Sequence, residues 1–175
     1  MKTAIIWFKT DLRLHDNETL VKAIAQNDQV IPVYCFDEQH FQHTTGGFRK
    51  TGDFRTQFLR EAVKDLQENL KKKGSNLLIV VGKPEIELPK LAQAYNVQQV
   101  YAKKEVAYEE KATSALVENA LWKIKCELKT YSTSTLYNAS DLPFPFVIFQ
   151  ICLLLFERKL KKNHKFEECL KHLKQ

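Results

Sequence analysis

The densest run of functional side chains in the 175-residue chain is Phe8-Lys9-Thr10-Asp11-Leu12-Arg13-Leu14-His15-Asp16-Asn17. Two cations, Lys9 and Arg13, are interleaved with the carboxylates Asp11 and Asp16. The chemistry on offer is ion pairing and hydrogen bonding rather than bond making. Asp11 and Arg13 are close enough in sequence to pair with each other or with a neighbouring loop, and Asp16 or Asn17 can cap a following helix by accepting its free N–H groups. A salt-bridged loop that fixes a helix start accounts for this run, because exposed ion pairs are too weak to demand a function. No G-x-S-x-G elbow, G-x-G-x-x-G dinucleotide loop or G-x-x-x-x-G-K-[ST] phosphate loop is present. Cys35, Cys126, Cys152 and Cys169 lie far apart and form no C-x-x-C pair, which favours reduced, buried thiols over zinc ligands or a redox couple. The residues therefore predict neither a catalytic group nor a metal site.

The elements that position these residues alternate between two periodicities. Short apolar runs at Ala4–Phe8, Val30–Phe36, Leu77–Val81, Gln98–Lys103 and Glu127–Tyr131 predict five strands. Between them lie helical patterns starting at Asn17, at Asp53, at Glu85 behind Pro84, and at Tyr108. On the second helix Phe54, Phe58, Leu59, Ala62, Val63, Leu66 and Leu70 form one apolar stripe, and on the fourth Ala112, Ala115, Leu116, Ala120 and Leu121 form the buried face. Trp7 and Trp122 read as core residues. Five alternations with short connections predict an α/β fold: a Rossmann-like, doubly wound, five-stranded parallel sheet with helices on both faces. In such a sheet ligands bind beyond the carboxyl ends of the strands. The loops Lys9–Asn17, Asp37–Gly52, Gly82–Pro84 and Lys103–Glu110 are thus the places for a site. His43 reads as a solvent-exposed loop histidine, and Lys71–Lys73 and Lys103-Lys104 as solvated cations.

Charge and hydropathy divide the chain. Residues 1–145 carry 20 basic and 18 acidic side chains, a net of +2, while residues 146–175 carry 7 and 3, a net of +4. Most of the overall +6 therefore belongs to the last stretch, so a general nucleic-acid binder has little support. Phe146 to Phe156 is eleven residues long, against the roughly 20 that cross a bilayer, so no membrane span is expected. With no leader pattern at the N-terminus, a cytoplasmic protein is the default. Residues 1–135 form the α/β domain in this reading and 136–145 begin a linker, where Pro143 and Pro145 keep their predecessors extended. Residues 146–175 break the alternating scheme, which points to a reading-frame change or truncation near Pro145.

The first loop, Trp7-Phe8-Lys9-Thr10-Asp11-Leu12-Arg13-Leu14-His15-Asp16-Asn17, resembles that of the DNA photolyase and cryptochrome family. Further blocks match in order, among them Val33–Asp37, Lys50–Leu59, Gly74–Leu77 and Val81–Glu85. They are most similar to the cryptochrome-DASH branch. Lys9 departs from the family, which usually has arginine there: charge is kept, the bidentate fork is not.

The resemblance implies the N-terminal antenna domain of a blue-light photoreceptor or of a light-driven lyase that repairs pyrimidine dimers. It aligns Glu109 and Glu110 with the contacts to a methenyltetrahydrofolate antenna, where a carboxylate can accept two hydrogen bonds from the amino-pyrimidine edge. An acidic first turn, favoured by the helix dipole, explains the same pair without a ligand. FAD and DNA would be bound only through a C-terminal helical domain that the resemblance does not cover. The 175 residues are therefore expected to be non-catalytic and to hold folate weakly or not at all. The alternative is a small Rossmann-like nucleotide-binding or interaction module.

Overall fold

The computed structural model of the chain describes residues 1–43 and 46–133. The linker read at 136–145 and the atypical stretch 146–175 lie outside the described residues, as do Cys152 and Cys169. Strands β1 (Thr3–Phe8), β2 (Gln29–Phe36), β3 (Leu78–Val81), β4 (Gln99–Lys103) and β5 (Glu127–Tyr131) alternate with helices α1 (Glu18–Gln26), α2 (Asp53–Lys72), α3 (Pro84–Ala94) and α4 (Tyr108–Trp122). A short 3-10 turn, Glu38–Phe41, follows β2. All four strand pairings are parallel, in the order β3-β2-β1-β4-β5. The expected doubly wound fold is present.

Period-two alternation in β1 sorts the core onto two faces. Ile5 and Trp7 pack with Leu88 and Ala92 of α3 and Val117 and Leu121 of α4. Ile6 and Phe8 face the other way, onto Val63, Leu66 and Leu70 of α2, and Ala4 meets Ala23 of α1. Pro32 sits one residue before β2 begins to pair with β3, so on that side its missing N–H interrupts nothing.

Capping is regular. Asn17 accepts the Leu20 N–H at 3.1 Å to start α1. Helix α2 ends with Gly74 at φ +76, the Ser75 N–H reaching back to the Leu70 carbonyl and the Gly74 N–H to that of Lys71, so carbonyls left over at the helix end are satisfied. The same pair of bonds closes α3 around Asn96 and α4 around Lys125, both at positive φ.

Three expectations fail at the helix surfaces. Helix α4 turns Val117 and Leu121 inward, whereas Ala112 and Ala115 are exposed and Leu116 is 49% exposed. The true buried line includes the half-buried Thr113 and Ser114, which a search for apolar residues passes over. Trp122 is not in the core; it is 80% exposed at the end of α4. On α2, Phe54 and Phe58 leave the predicted stripe and are exposed. The cause is length: 20 residues of α2 run roughly 30 Å, and the 6 residues of β1 only roughly 20 Å, so the first turns of α2 project past the sheet.

Candidate functional site

The strand order reverses between β1 and β4, and a cleft of about 320 Å³ opens at their carboxyl ends. It draws on the loops named by the parallel-sheet rule: residues after β1, after β2, at the start of α3, and between β4 and α4. Phe8, Tyr34, Phe41, Phe58 and Leu59 supply apolar surface, and Lys9, Thr10, Glu105 and Glu110 supply polar groups. Asp37, His40, Thr51 and Arg55 also line it, and Trp7 lies at its floor. Phe58, exposed because α2 overhangs the sheet, is therefore part of the cleft.

The first loop divides into a scaffold and one functional side chain. Asp11, buried, accepts the Lys9 backbone N–H at 3.1 Å and the Asn17 amide at 3.3 Å. Arg13 does not pair with Asp11. It donates to the Asp16 carbonyl at 2.9 Å, with the Asp16 carboxylate 3.6 Å away, because Asp16 at φ +49 turns the chain back towards it. Asp11, Arg13, Asp16 and Asn17 thus hold the loop and start α1, and of the five charged or amide motif residues Lys9 alone lines the cleft, beside Thr10 and Leu12.

Lys9 sits with its ammonium 4.1 Å from the Trp7 ring centre and donates to Ser114 Oγ at 2.7 Å. The Ser114 hydroxyl in turn donates a hydrogen bond to the Glu110 carbonyl at 2.7 Å, from i to i−4 within α4. Burial pulls the Lys9 pKa down to about 8, although Glu105, Asp11 and Glu110 act in the opposite direction. Beside it Lys103 donates to Thr10 Oγ1 at 2.9 Å, and Thr10 donates to Glu105 at 2.8 Å. Lys103 is therefore not the solvated cation expected from sequence: its side chain is 16% exposed and belongs to this network. Burial also pushes the Tyr34 phenol and the Cys35 thiol up to about 12, so both stay protonated across the physiological range.

The two candidate carboxylates separate. Glu109 is mostly exposed and forms a 2.6 Å ion pair with Lys50, whose hydrogen bond and charge hold its pKa down. Glu109 does not line the cleft; Glu110 does, and its carboxylate has no hydrogen-bond partner among the described residues. His43 is exposed and outside the cleft lining. His40, Arg55, Glu105 and Tyr34 line the cleft but were not predicted individually. Only the parallel-sheet rule, which names loops rather than residues, pointed towards them. Among the described residues no group of three His, Cys, Asp or Glu side chains could hold a metal ion, and no helix is long and apolar enough to cross a membrane.

A sequence profile described as DNA photolyase matches residues 4–165. The chain belongs to the DNA photolyase family. Within that family it is 45% identical over 143 residues to a blue-light photoreceptor of Arabidopsis thaliana, covering 82% of this chain and 32% of that protein. It is 36% identical over 161 residues to the cryptochrome DASH of Synechocystis sp., covering 92% of this chain and 33% of the relative. The solved structure of a Synechocystis cryptochrome superimposes with a TM-score of 0.79 at 39% identity, over 83% of this photolyase-family chain and 30% of the other. An archaeal photolyase from Sulfolobus tokodaii shares the fold, with a TM-score of 0.71 at 24% identity. The chain spans about a third of the length of the curated relatives it matches, and it corresponds to their N-terminal photolyase domain. The profile match includes residues 146–165, within the stretch that the alternating pattern set apart.

Proposed function

We propose that this photolyase-family domain is the antenna part of a cryptochrome-DASH-type blue-light protein, and that the cleft between β1 and β4 receives the ring of the antenna chromophore. One observation carries the reading: the switch-point cleft combines aromatic walls with a carboxylate, Glu110, that has no hydrogen-bond partner among the described residues. A planar heterocycle with an amino-pyrimidine edge suits that pairing, since the ring stacks on apolar surface and the carboxylate accepts two N–H bonds. Glu109, committed to Lys50, would fix the start of α4 rather than touch the ring.

The whole protein's activity is an extension of this reading. By family resemblance, a helical domain would hold FAD and the damaged DNA, and the antenna would pass excitation to the flavin. The 175 residues span about a third of the relatives' length and, without the flavin-holding part, would not cleave a pyrimidine dimer. Free, buried Cys35 and Cys126 suit a reducing compartment such as the cytoplasm. The cleft volume of about 320 Å³ is near the lower end of the roughly 300–1,000 Å³ typical of ligand sites, so a folate tail would lie outside it. Weak binding of the complete cofactor follows.

Fluorescence titration of the 175-residue chain with methenyltetrahydrofolate tests this. Binding weaker than micromolar, reduced at least fivefold by Glu110→Gln and unchanged by Glu109→Gln, is expected. Equal effects of the two substitutions would overturn the assignment of Glu110, and micromolar or tighter binding would overturn the claim that the domain is an incomplete site.

A further inference from the structure

We propose that Lys9 is an imine-forming amine and that the cleft accepts an aromatic aldehyde bearing an anionic group. Three observations meet in one place. First, the Lys9 ammonium lines the cleft with one hydrogen bond, to Ser114, and one aromatic ring, Trp7, as its neighbours. No carboxylate lies within ion-pair distance of it among the described residues. Second, Phe8, Tyr34, Phe41 and Phe58 offer surface to a flat ring. Third, Arg55 and His40 line the same cleft with no hydrogen bond or ion pair from their side chains among the described residues, which leaves a guanidinium and an imidazole for a phosphate or carboxylate.

The chemistry balances without a further reagent. The unprotonated Lys9 nitrogen adds to the aldehyde carbon, the carbonyl π bond breaks, and the resulting carbinolamine loses water to leave C=N. The charged groups facing Lys9 are Asp11 from the first loop, Lys103 at the end of β4, Glu105 from the following loop and Glu110 from α4. Glu105 and Glu110 also line the cleft, where their charge favours the iminium cation, and the departing hydroxyl takes its proton from solvent and leaves as water. Because burial brings Lys9 to about 8, roughly a tenth of this amine is free at pH 7 and half at pH 8, far more than for a solvated lysine at about 10.5.

The test uses pyridoxal phosphate at near-stoichiometric amounts on the 175-residue chain, followed by borohydride reduction and peptide mass spectrometry. Lys9 is expected to carry at least ten times the label of any other lysine, with a labelling midpoint near pH 8. Lys9→Arg should remove that label while the circular dichroism spectrum is retained. Pyridoxal, which lacks the phosphate, should label Lys9 at least fivefold less, and Arg55→Gln should reduce labelling by the phosphate form to the same degree. Label spread over the exposed lysines would overturn the proposal, and equal labelling by pyridoxal would overturn the anion-binding role of Arg55. The inference shares the cleft with the antenna reading but not its ligand. Failure of Lys9 labelling leaves folate titration unaffected, and failure of folate titration leaves Lys9 labelling unaffected.

Discussion

The two ends of the parallel sheet treat their polar groups in opposite ways. At the amino end the Tyr101 hydroxyl lies 2.8 Å from Gln99 Oε1 and 2.9 Å from Gln26 Oε1, and it accepts from the Asn27 amide at 3.2 Å. The Lys2 N–H donates to Asp28 at 2.7 Å, and the Lys2 carbonyl takes the N–H groups of Asp28 and Gln29. Polar groups there consume one another. At the carboxyl end Lys103, Thr10 and Glu105 bond to one another, but among the described residues the Arg55, His40 and Glu110 side chains have no hydrogen-bonded partner, and Lys9 has one. Self-satisfied polar groups stabilise a fold, and unspent ones are available to a ligand. The contrast separates scaffold from site without reference to any relative.

Four measurements would break or sharpen that contrast. The core between the two ends sets the scale: Leu121→Ala, at a fully buried position, should cost about 3 kcal/mol in urea unfolding. Tyr101→Phe should cost about 1 kcal/mol by deleting the hydroxyl shared among three amides, and it should leave ligand affinity at the cleft unchanged. A loss of affinity there would break the division between the ends.

Lys9 should make stability depend on pH, to a similar extent. Its folded pKa of about 8 lies below the ordinary 10.5, so above pH 8 the unfolded chain holds more protons and stability rises with pH. Lys9 alone contributes a rise of about 1 kcal/mol between pH 8 and 9. Over the same interval Cys35 and Cys126, raised by burial to about 12 and about 11, offset about 0.7 kcal/mol of it, because unfolded thiols release protons that the folded ones keep. Lys9→Met should lower the change in stability between pH 8 and 9 by about 1 kcal/mol relative to the parent, and parallel profiles for the two proteins would show that Lys9 is not desolvated. The smallest effect belongs to Glu109→Gln: the pair with Lys50 is open to solvent, so no resolvable change in Tm is expected by calorimetry.

The fold was almost wholly legible in the residues, since alternation of strand and helix patterns depends on spacing and survives errors at individual positions. The strand Glu127–Tyr131 matches its expected bounds, and Asn17 caps α1 as its residue type suggested. What failed depends on three-dimensional extent. Phe54 and Phe58 satisfy the helical period of α2, but nothing in that period tells where the sheet beneath it stops. The buried line of α4 passes through Thr113 and Ser114, so an apolar search rotated the helix towards its alanines. At the site, Lys103 looks like any surface lysine until the fold sets Thr10 and Glu105 beside it. Glu109 and Glu110 cannot be told apart in sequence; one turns to Lys50 and the other to the cleft.

The chain has two tryptophans, and they report on different places. Trp7 is 4% exposed, lies beneath the Lys9 ammonium and lines the cleft, whereas Trp122 is 80% exposed at the far end of α4. An indole in an apolar setting emits further to the blue than one in water, and a collisional quencher such as acrylamide reaches only the exposed ring. Quenching Trp122 would leave an optical signal from the cleft floor alone. Without an added label, that signal would register the charge on Lys9 and the arrival of a ring above it.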